Sequence, residues 1–299
     1  MILSGSSHPE LAISLSKLLK QPLADVDISK FPNGEKRVWV KTSLKKATVG
    51  IVQSFSDPVD EHIIEFCLLA DAAKHLGAQK IIGIIPWLGY SPQDKLFRPG
   101  EPISIHVIAR MLETVGVNHL VIADIHSTES LEHFSIPVTE VSAVSIFINY
   151  FQKRSLKNHV AVALDKGATP RATEFAQALN LPLVQFEKFR DRATGAITFK
   201  SQTGDMAGKH AISFDDFVST GSTRIVASEI LKQQGALTYT DCITHALLAG
   251  DSVVKLKASS IDHLLTTDSY PIPPQKRFSK LEILPIAPLL AKAVKPLLQ

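Results

Sequence analysis

The sequence predicts an α/β fold of two domains, each a mainly parallel sheet flanked by helices. Three observations predict it. Short runs rich in Ile and Val alternate with stretches of helical periodicity. Those runs are apolar on consecutive positions, as parallel strands buried on both faces are. The rhythm then begins again in the second half of a 299-residue chain, a length that at roughly 150 residues per domain accommodates two.

In chain order, MILSG, VGIVQSF, KIIGIIP and HLVIADI are the first strands. A helix opens at Asp57-Pro58 and runs to Gly77, with Pro58 suited to a first helical position and Gly77 to the residue after the last turn. Val59, Ile63, Phe66, Ala70 and Ala73 give it an apolar stripe. A second helix covers about Ser104 to Thr114, where Val107, Ile108, Met111 and Leu112 are apolar. The second half reads HVAVALD as a strand, TPRATEFAQAL as a helix, and LPLVQFE and HAISFDD as strands. STRIVASEILKQQG follows as a helix stopped by Gly235, then YTDCITHALLA and DHLLTTDS as strands. IAPLLAKAVKPLL is a terminal helix whose last turn Pro296 disturbs. The domain boundary is expected within 140–145, giving domains 1–142 and 143–285, and SYPIPPQKRFSK reads as an exposed connection. With no Gly/Ser linker or low-complexity tract, the two domains are expected to pack closely.

Composition narrows the function classes. The chain is 45% apolar and 20% charged, which excludes global disorder. Its 32 basic and 29 acidic residues leave a net charge of +3 with no basic run, so a nucleic-acid partner is not expected. No apolar run reaches the roughly 18 residues of a membrane span. MILSGSSHPE has neither a basic n-region nor a long apolar h-region, so a signal peptide is not expected either. Two cysteines, Cys67 and Cys242, are too few for a metal framework or a disulfide scaffold; they read as buried thiols of a cytoplasmic protein.

The strongest local signal is HAISFDDFVSTGSTRIVASEIL. A buried strand ends in Asp215 and Asp216, and the loop Ser219, Thr220, Gly221, Ser222, Thr223 opens a helix. Backbone N–H groups at a helix start, the helix dipole and hydroxyl donors together favour an anion. Gly221 lets the backbone approach a phosphate, while the carboxylates can accept hydrogen bonds from sugar hydroxyls. Any one of these residues taken singly reads better as part of an N-capped turn; the whole strand–DD–loop–helix unit favours the binding site. It is not a P-loop, for it lacks the lysine and the G-x₄-GK spacing.

DDFVSTGST resembles the phosphoribosyl-diphosphate loop shared by type I phosphoribosyltransferases and ribose-phosphate diphosphokinases. Five further stretches resemble the diphosphokinases: FPNGEKRV, IIPWLGYSPQDKLFRPGEPIS, VIADIHS, VALDKGATPRA and FEKFRDRATG. The resemblance spans nearly the whole chain, and GEPIS is close to archaeal-type members. It implies two type I phosphoribosyltransferase-like domains, with the terminal helix 286–299 packing back on the first. It also implies transfer of the β,γ-diphosphoryl group of ATP to the C1 hydroxyl of ribose 5-phosphate, with Mg²⁺ as cofactor. Attack at the β-phosphorus is roughly in line, chemistry that rests on positioning and charge neutralisation.

Roles follow from the same resemblance. Ser219, Thr220, Gly221, Ser222 and Thr223 would hold the 5-phosphate, and Asp215 and Asp216 the ribose 2- and 3-hydroxyls. Asp165 and His126 would serve the metal, sparse ligands being usual for Mg²⁺. Lys188 and Arg190, spaced to point the same way on an extended loop, would stand over the transferring group; by charge alone KFRDR reads rather as a solvated basic loop, and only the family position raises the two. Phe31, Asn33 and Glu35 would form the adenine pocket, on a segment whose N-G also reads as a turn, and Gln93 and Asp94 would contact ATP. In the family the Phe31 segment reaches a neighbouring subunit's site, which implies a homo-oligomer, a dimer or larger.

Four positions depart from the family pattern. Pro92 stands where an arginine precedes Gln93, leaving Lys95 or Arg98 as alternative cations. Ala168 replaces a second glycine, where a methyl group would restrict the approach of diphosphate. Ser219 replaces an acid, as in archaeal-type members, and Trp87 replaces another aromatic. Two other readings stay open on sequence: a catalytically silent subunit associated with a synthetase, motivated by Pro92, and a phosphoribosyltransferase using the same loop.

Overall fold

The computed structural model describes residues 1–190 and 197–298, with side chains described outside 188–203. It divides into two compact units, one made of Met1–Ser142, Ser269–Pro271 and Pro285–Gln299, the other of Ala143–Asp268 and Ile272–Leu284.

The first unit runs β1 (Ile2–Ser4), α1 (Pro9–Leu19), β2 (Val26–Lys30), β3 (Lys36–Val40), β4 (Thr48–Val52), α2 (Val59–His75), β5 (Lys80–Ile84), α3 (Ser104–Thr114), β6 (His119–Ala123) and β7 (Val138–Val141). Five strands form a wholly parallel sheet in the order β1-β4-β5-β6-β7, and β2 and β3 form a separate antiparallel ribbon. α2 begins one residue later than expected: Pro58 is its extended N-cap, so Val59 is the first helical residue. Gly77, at φ +81°, closes the helix with its N–H bonded to the Lys74 carbonyl. The α1 helix and the β2–β3 ribbon are not among the expected elements.

The second unit runs α4 (Val144–Phe151), β8 (His159–Ala163), α5 (Thr169–Leu179), β9 (Leu183–Arg190), β10 (Ile197–Thr203), β11 (His210–Val218), α6 (Ser222–Gln233), β12 (Thr238–Ala246), α7 (Ser252–Ala258), β13 (His263–Thr267) and β14 (Leu281–Leu284). Its sheet has the order β10-β9-β8-β11-β12-β13-β14, parallel except for the antiparallel β9–β10 edge. Val160 and Val162 of β8 join one hydrophobic core, which includes Leu231 and Leu256. Ala161 and Ala163 join the other, with Phe175 and Phe214. The strand is therefore buried on both faces, and that is why its sequence shows no alternation of polarity.

Strand order in this sheet reverses between β8 and β11: β9 lies on one side of β8, while β12 and β13 extend from β11 on the other. Loops leaving the carboxyl ends of two such strands diverge and open a crevice, the usual ligand site of an open parallel sheet. The β8–α5 turn and the β11–α6 loop leave from there.

Two expectations need correction. The segment FEKFRDRATG is not a loop at its start, since the backbones of Lys188 and Arg190 lie in β9, in register with Phe199 and Ile197 of β10. The stretch from Ser269 is not simply an exposed connection. Ser269, Tyr270 and Ile272 are buried, Ser54 Oγ donates to the Ser269 carbonyl at 2.8 Å, and the Asp57 N–H donates to Tyr270 Oη at 2.9 Å. The last helix, α8 (Ala287–Val294), belongs to the first unit, packs against α1 and gives way to a 3₁₀ turn at Lys295–Leu297 that contains Pro296. Of the cysteines, Cys242 is buried but Cys67 is only partly so, although burial still pushes its thiol up to about 11. Among the described residues, no helix is long and apolar enough to cross a membrane.

Candidate active site

The crevice of the second unit gathers the predicted ribose and phosphate residues. β11 ends in Asp215, Asp216, Phe217 and Val218, and its neighbour β12 fixes the loop exit: Leu247 N–H donates to the Val218 carbonyl at 2.9 Å and Ala249 N–H to that of Ser219 at 3.1 Å. Gly221 is the N-cap of α6 at φ +79°, a left-handed conformation with no steric cost for glycine alone. No side chain caps this helix. Its first N–H groups are therefore available to an anion, and Thr220 and Ser222, both exposed, add hydroxyls 3.2 Å apart. A Cβ on Gly221 would lie 3.1 Å from Leu256. Gly221→Val should thus cost about 1–3 kcal/mol in backbone strain and distort the loop. The expected outcome is a lowered thermal midpoint together with weaker binding of a phosphate anion at the loop; wild-type values for both would contradict it.

The two carboxylates are held differently. Asp216 is buried, and its Oδ1 accepts from the Phe217 N–H at 2.9 Å. Asp215 keeps 23% of its side chain exposed, accepts from the Asp216 N–H at 3.0 Å, and is ion-paired with Arg224 of α6. Arg224 and its second carboxylate neighbour, Asp241 of β12, were not expected from the sequence. The available signal was an acid in the middle of the strand YTDCITHALLA, where a buried carboxylate requires a partner.

Across the switch point, Asp165 lies in the turn just after β8. Its Oδ1 accepts from the Ala168 N–H at 2.9 Å, and its carbonyl accepts from Thr169 Oγ1 at 3.2 Å, which fixes the turn. Ala168 itself is buried at φ −77°, in the ordinary right-handed region. No glycine is needed there, and the methyl group lies inside the protein instead of obstructing the turn. Lys188 and Arg190 end β9, the strand beside β8, with their side chains outside the described residues.

In the first unit, the β2–β3 ribbon carries Phe31, Asn33 and Glu35 on its connecting turn. The Phe31 carbonyl accepts from Gly34 N–H at 2.8 Å, Asn33 Oδ1 from Glu35 N–H at 3.2 Å, and Gly34 sits at φ +92°. Pro32 at the second turn position and glycine at the fourth are what this turn favours. The ribbon is anchored by Lys36, whose Nζ lies 2.7 Å from the fully buried Glu65 and 3.5 Å from Glu61. Glu65 also accepts from Ser6 N–H and Ser6 Oγ, both at 2.6 Å, and from Gln53 Nε2 at 2.8 Å. The turn is rigidly based while Phe31 stays 48% exposed.

Gln93 lines a cavity of about 470 Å³ with Phe97, Arg98, Glu101 and Pro102, and its Oε1 accepts from Ser104 Oγ at 2.6 Å. Asp94 does not line it; it is buried, with its carbonyl accepting from His133 Nε2 at 3.0 Å. Arg98 is thus a cation placed beside Gln93, where Pro92 supplies none. His126 follows β6 and is exposed. Among the described residues, no three of His, Cys, Asp or Glu gather as a metal cluster.

Two parallel α/β sheets, one of them presenting paired acids and an uncapped helix start at its switch point, define a protein of the type I phosphoribosyltransferase-like class. Comparison with known proteins specifies it further. A family model for the N-terminal domain of ribose phosphate pyrophosphokinase matches residues 1–116, and one for a phosphoribosyl synthetase-associated domain matches residues 197–299. The ribose-phosphate pyrophosphokinase of Caldanaerobacter subterraneus subsp. tengcongensis is 34% identical over 98% of this chain and 93% of its own. That of Bacillus subtilis is 33% identical over 98% and 92%. The crystal structure of phosphoribosylpyrophosphate synthetase from Mycobacterium smegmatis superposes with a TM-score of 0.91 at 30% identity, covering 99% of this chain and 98% of that one. The chain belongs to the ribose-phosphate pyrophosphokinase family.

Proposed function

We infer that this chain is a ribose-phosphate diphosphokinase, converting ATP and ribose 5-phosphate to AMP and 5-phosphoribosyl 1-diphosphate. The observation that carries this reading is the Asp215-Asp216–loop–α6 unit at the β8/β11 switch point, in a chain alike over its full length to enzymes of that name. The uncapped start of α6 receives the 5-phosphate through backbone N–H groups and the hydroxyls of Ser219, Thr220, Ser222 and Thr223. Asp216 and Asp215 accept hydrogen bonds from the ribose diol and so aim the C1 hydroxyl. Lys188 and Arg190, at the end of β9, offset the charge that develops on the transferring group. Phe31 stacks on adenine, Asn33 and Glu35 meet its edge, and Gln93 with Arg98 contacts the nucleotide.

Asp165 suits Mg²⁺, a hard cation that prefers oxygen donors and few protein ligands, because Ala168 N–H orients its carboxylate. His126 is the residue of the first unit assigned to the metal of the nucleotide. When bound, Mg²⁺ neutralises diphosphate charge. The solvent-exposed apolar side chains of Phe31 and Trp39 on the β2–β3 ribbon favour a homo-oligomer, and two cysteines free of disulfide favour the cytoplasm.

The test is a ³¹P NMR time course of the purified protein with Mg²⁺, ATP and ribose 5-phosphate. AMP and 5-phosphoribosyl 1-diphosphate should appear in equal amounts. A protein that yields neither, with ATP or other nucleotide donors, would not be a diphosphokinase.

A further inference from the structure

A chain of polar side chains runs beneath the ribose carboxylates. Tyr239 Oη lies 2.7 Å from Ser213 Oγ, and Ser213 Oγ donates to Asp241 Oδ1 at 2.6 Å. Asp241 Oδ2 lies 3.6 Å from Arg224 Nε, and Arg224 Nη2 is ion-paired with Asp215 Oδ2. Tyr239, Ser213 and Asp241 are fully buried and Arg224 is 3% exposed. Such a network does not explain itself by stability, because apolar side chains of the same volume are often as stable or more so. Its single member that reaches the crevice is Asp215.

We propose that Arg224 is a positioning residue for ribose 5-phosphate, fixing the Asp215 carboxylate from behind while Asp241 anchors its guanidinium. The deduction rests on the proposed diphosphokinase reading and deepens it. With Oδ2 committed to Arg224 and Oδ1 accepting from Asp216 N–H, Asp215 offers its remaining lone pairs in one orientation. Its charge is offset by a cation in direct contact, so it is suited to accept hydrogen bonds from neutral hydroxyls. Burial works against the charge of Arg224, but Asp241, Tyr239 and Asp165 more than restore it, so the anchor stays ionised. A lysine could not replace it, since one ammonium cannot span Asp215 and Asp241 as a planar fork does.

Removing Arg224 alone would leave Asp241 buried without its partner, so the test uses Arg224→Met combined with Asp241→Asn, which keeps the acceptor for Ser213, and Arg224→Lys separately. Ribose 5-phosphate binding is measured by calorimetry with Mg²⁺ and without ATP, beside KM values for both substrates. The double variant should fold, bind ribose 5-phosphate at least tenfold more weakly than wild type, and keep its KM for ATP within twofold; Arg224→Lys should fall between the two. A folded double variant that binds ribose 5-phosphate within twofold of wild type overturns the proposal. If the double variant does not fold, Arg224→Lys decides alone: a loss of threefold or more supports the role, and wild-type binding overturns it. A wild-type protein that does not bind ribose 5-phosphate at all would instead overturn the reading on which the proposal rests.

Discussion

Replacing Lys188 by alanine should lower turnover by roughly 10²–10³-fold, the loss typical of removing one group that stabilises transition-state charge. KM for ATP and for ribose 5-phosphate should stay within about threefold of wild type. Phosphoryl-type transfer leaves little covalent chemistry to the protein, so a cation whose contact strengthens only as charge moves onto the leaving oxygen acts on kcat. The position of Lys188 near the end of β9, beside β8 and its Asp165 turn, supports the assignment. Steady-state kinetics with both substrates varied checks it. Losses shared equally between kcat and binding would assign Lys188 to ground-state binding instead.

Glu65→Ala should be the most destabilising single change in the first unit, costing about 3–5 kcal/mol, the usual effect of breaking a buried ion pair. It strands the ammonium of Lys36 and the two donors of Ser6. Chemical denaturation of wild type and variant checks the magnitude. The same group predicts an acid limb of stability. Burial by itself would raise the Glu65 pKa, but the hydrogen bonds from Lys36 and Ser6 outweigh it, and the folded value lies below the ordinary one. A lowered carboxylate pKa stabilises fully above the unfolded value of about 4.3. That contribution is lost as pH falls through the folded value, because the unfolded chain binds its proton first. Wild-type stability should therefore decline below pH about 4.3, and a variant without Glu65 should show a shallower decline. Equal slopes would remove Glu65 from the account.

The elements that the sequence announced share one physical trait. β4, β5, β6 and β8 are short, β-branched and buried on both faces, so their composition alone marks them. β2 and β3 are only partly buried, and VDISK and KRVWV mix charge with apolar residues in a way that no core dictates. α4, VSIFINYF, is apolar nearly all round, which suits a buried strand and a buried helix equally. α1 had a readable signal in Pro9 and the stripe of Leu11, Ala12 and Leu15. Of the site, the β11–α6 loop was legible because its chemistry is local: acids, glycine and hydroxyls lie within nine residues. Arg224 with Asp241, and Lys36 with Glu65, were not, since each joins residues 17 or more apart that only the fold brings together.

The placement of α8 bears on the order in which the chain is completed during synthesis. Ala287, Leu290 and Val294 are buried in a unit whose other strands and helices lie almost entirely before residue 143. A nascent chain emerging N-terminus first holds α1 and β7 without their cover while more than a hundred further residues are made. The second unit, whose last strand ends at Leu284, has all its parts before α8 leaves the ribosome. The half that is translated first is the half that is finished last, and in the interval its apolar flank is the surface most open to aggregation.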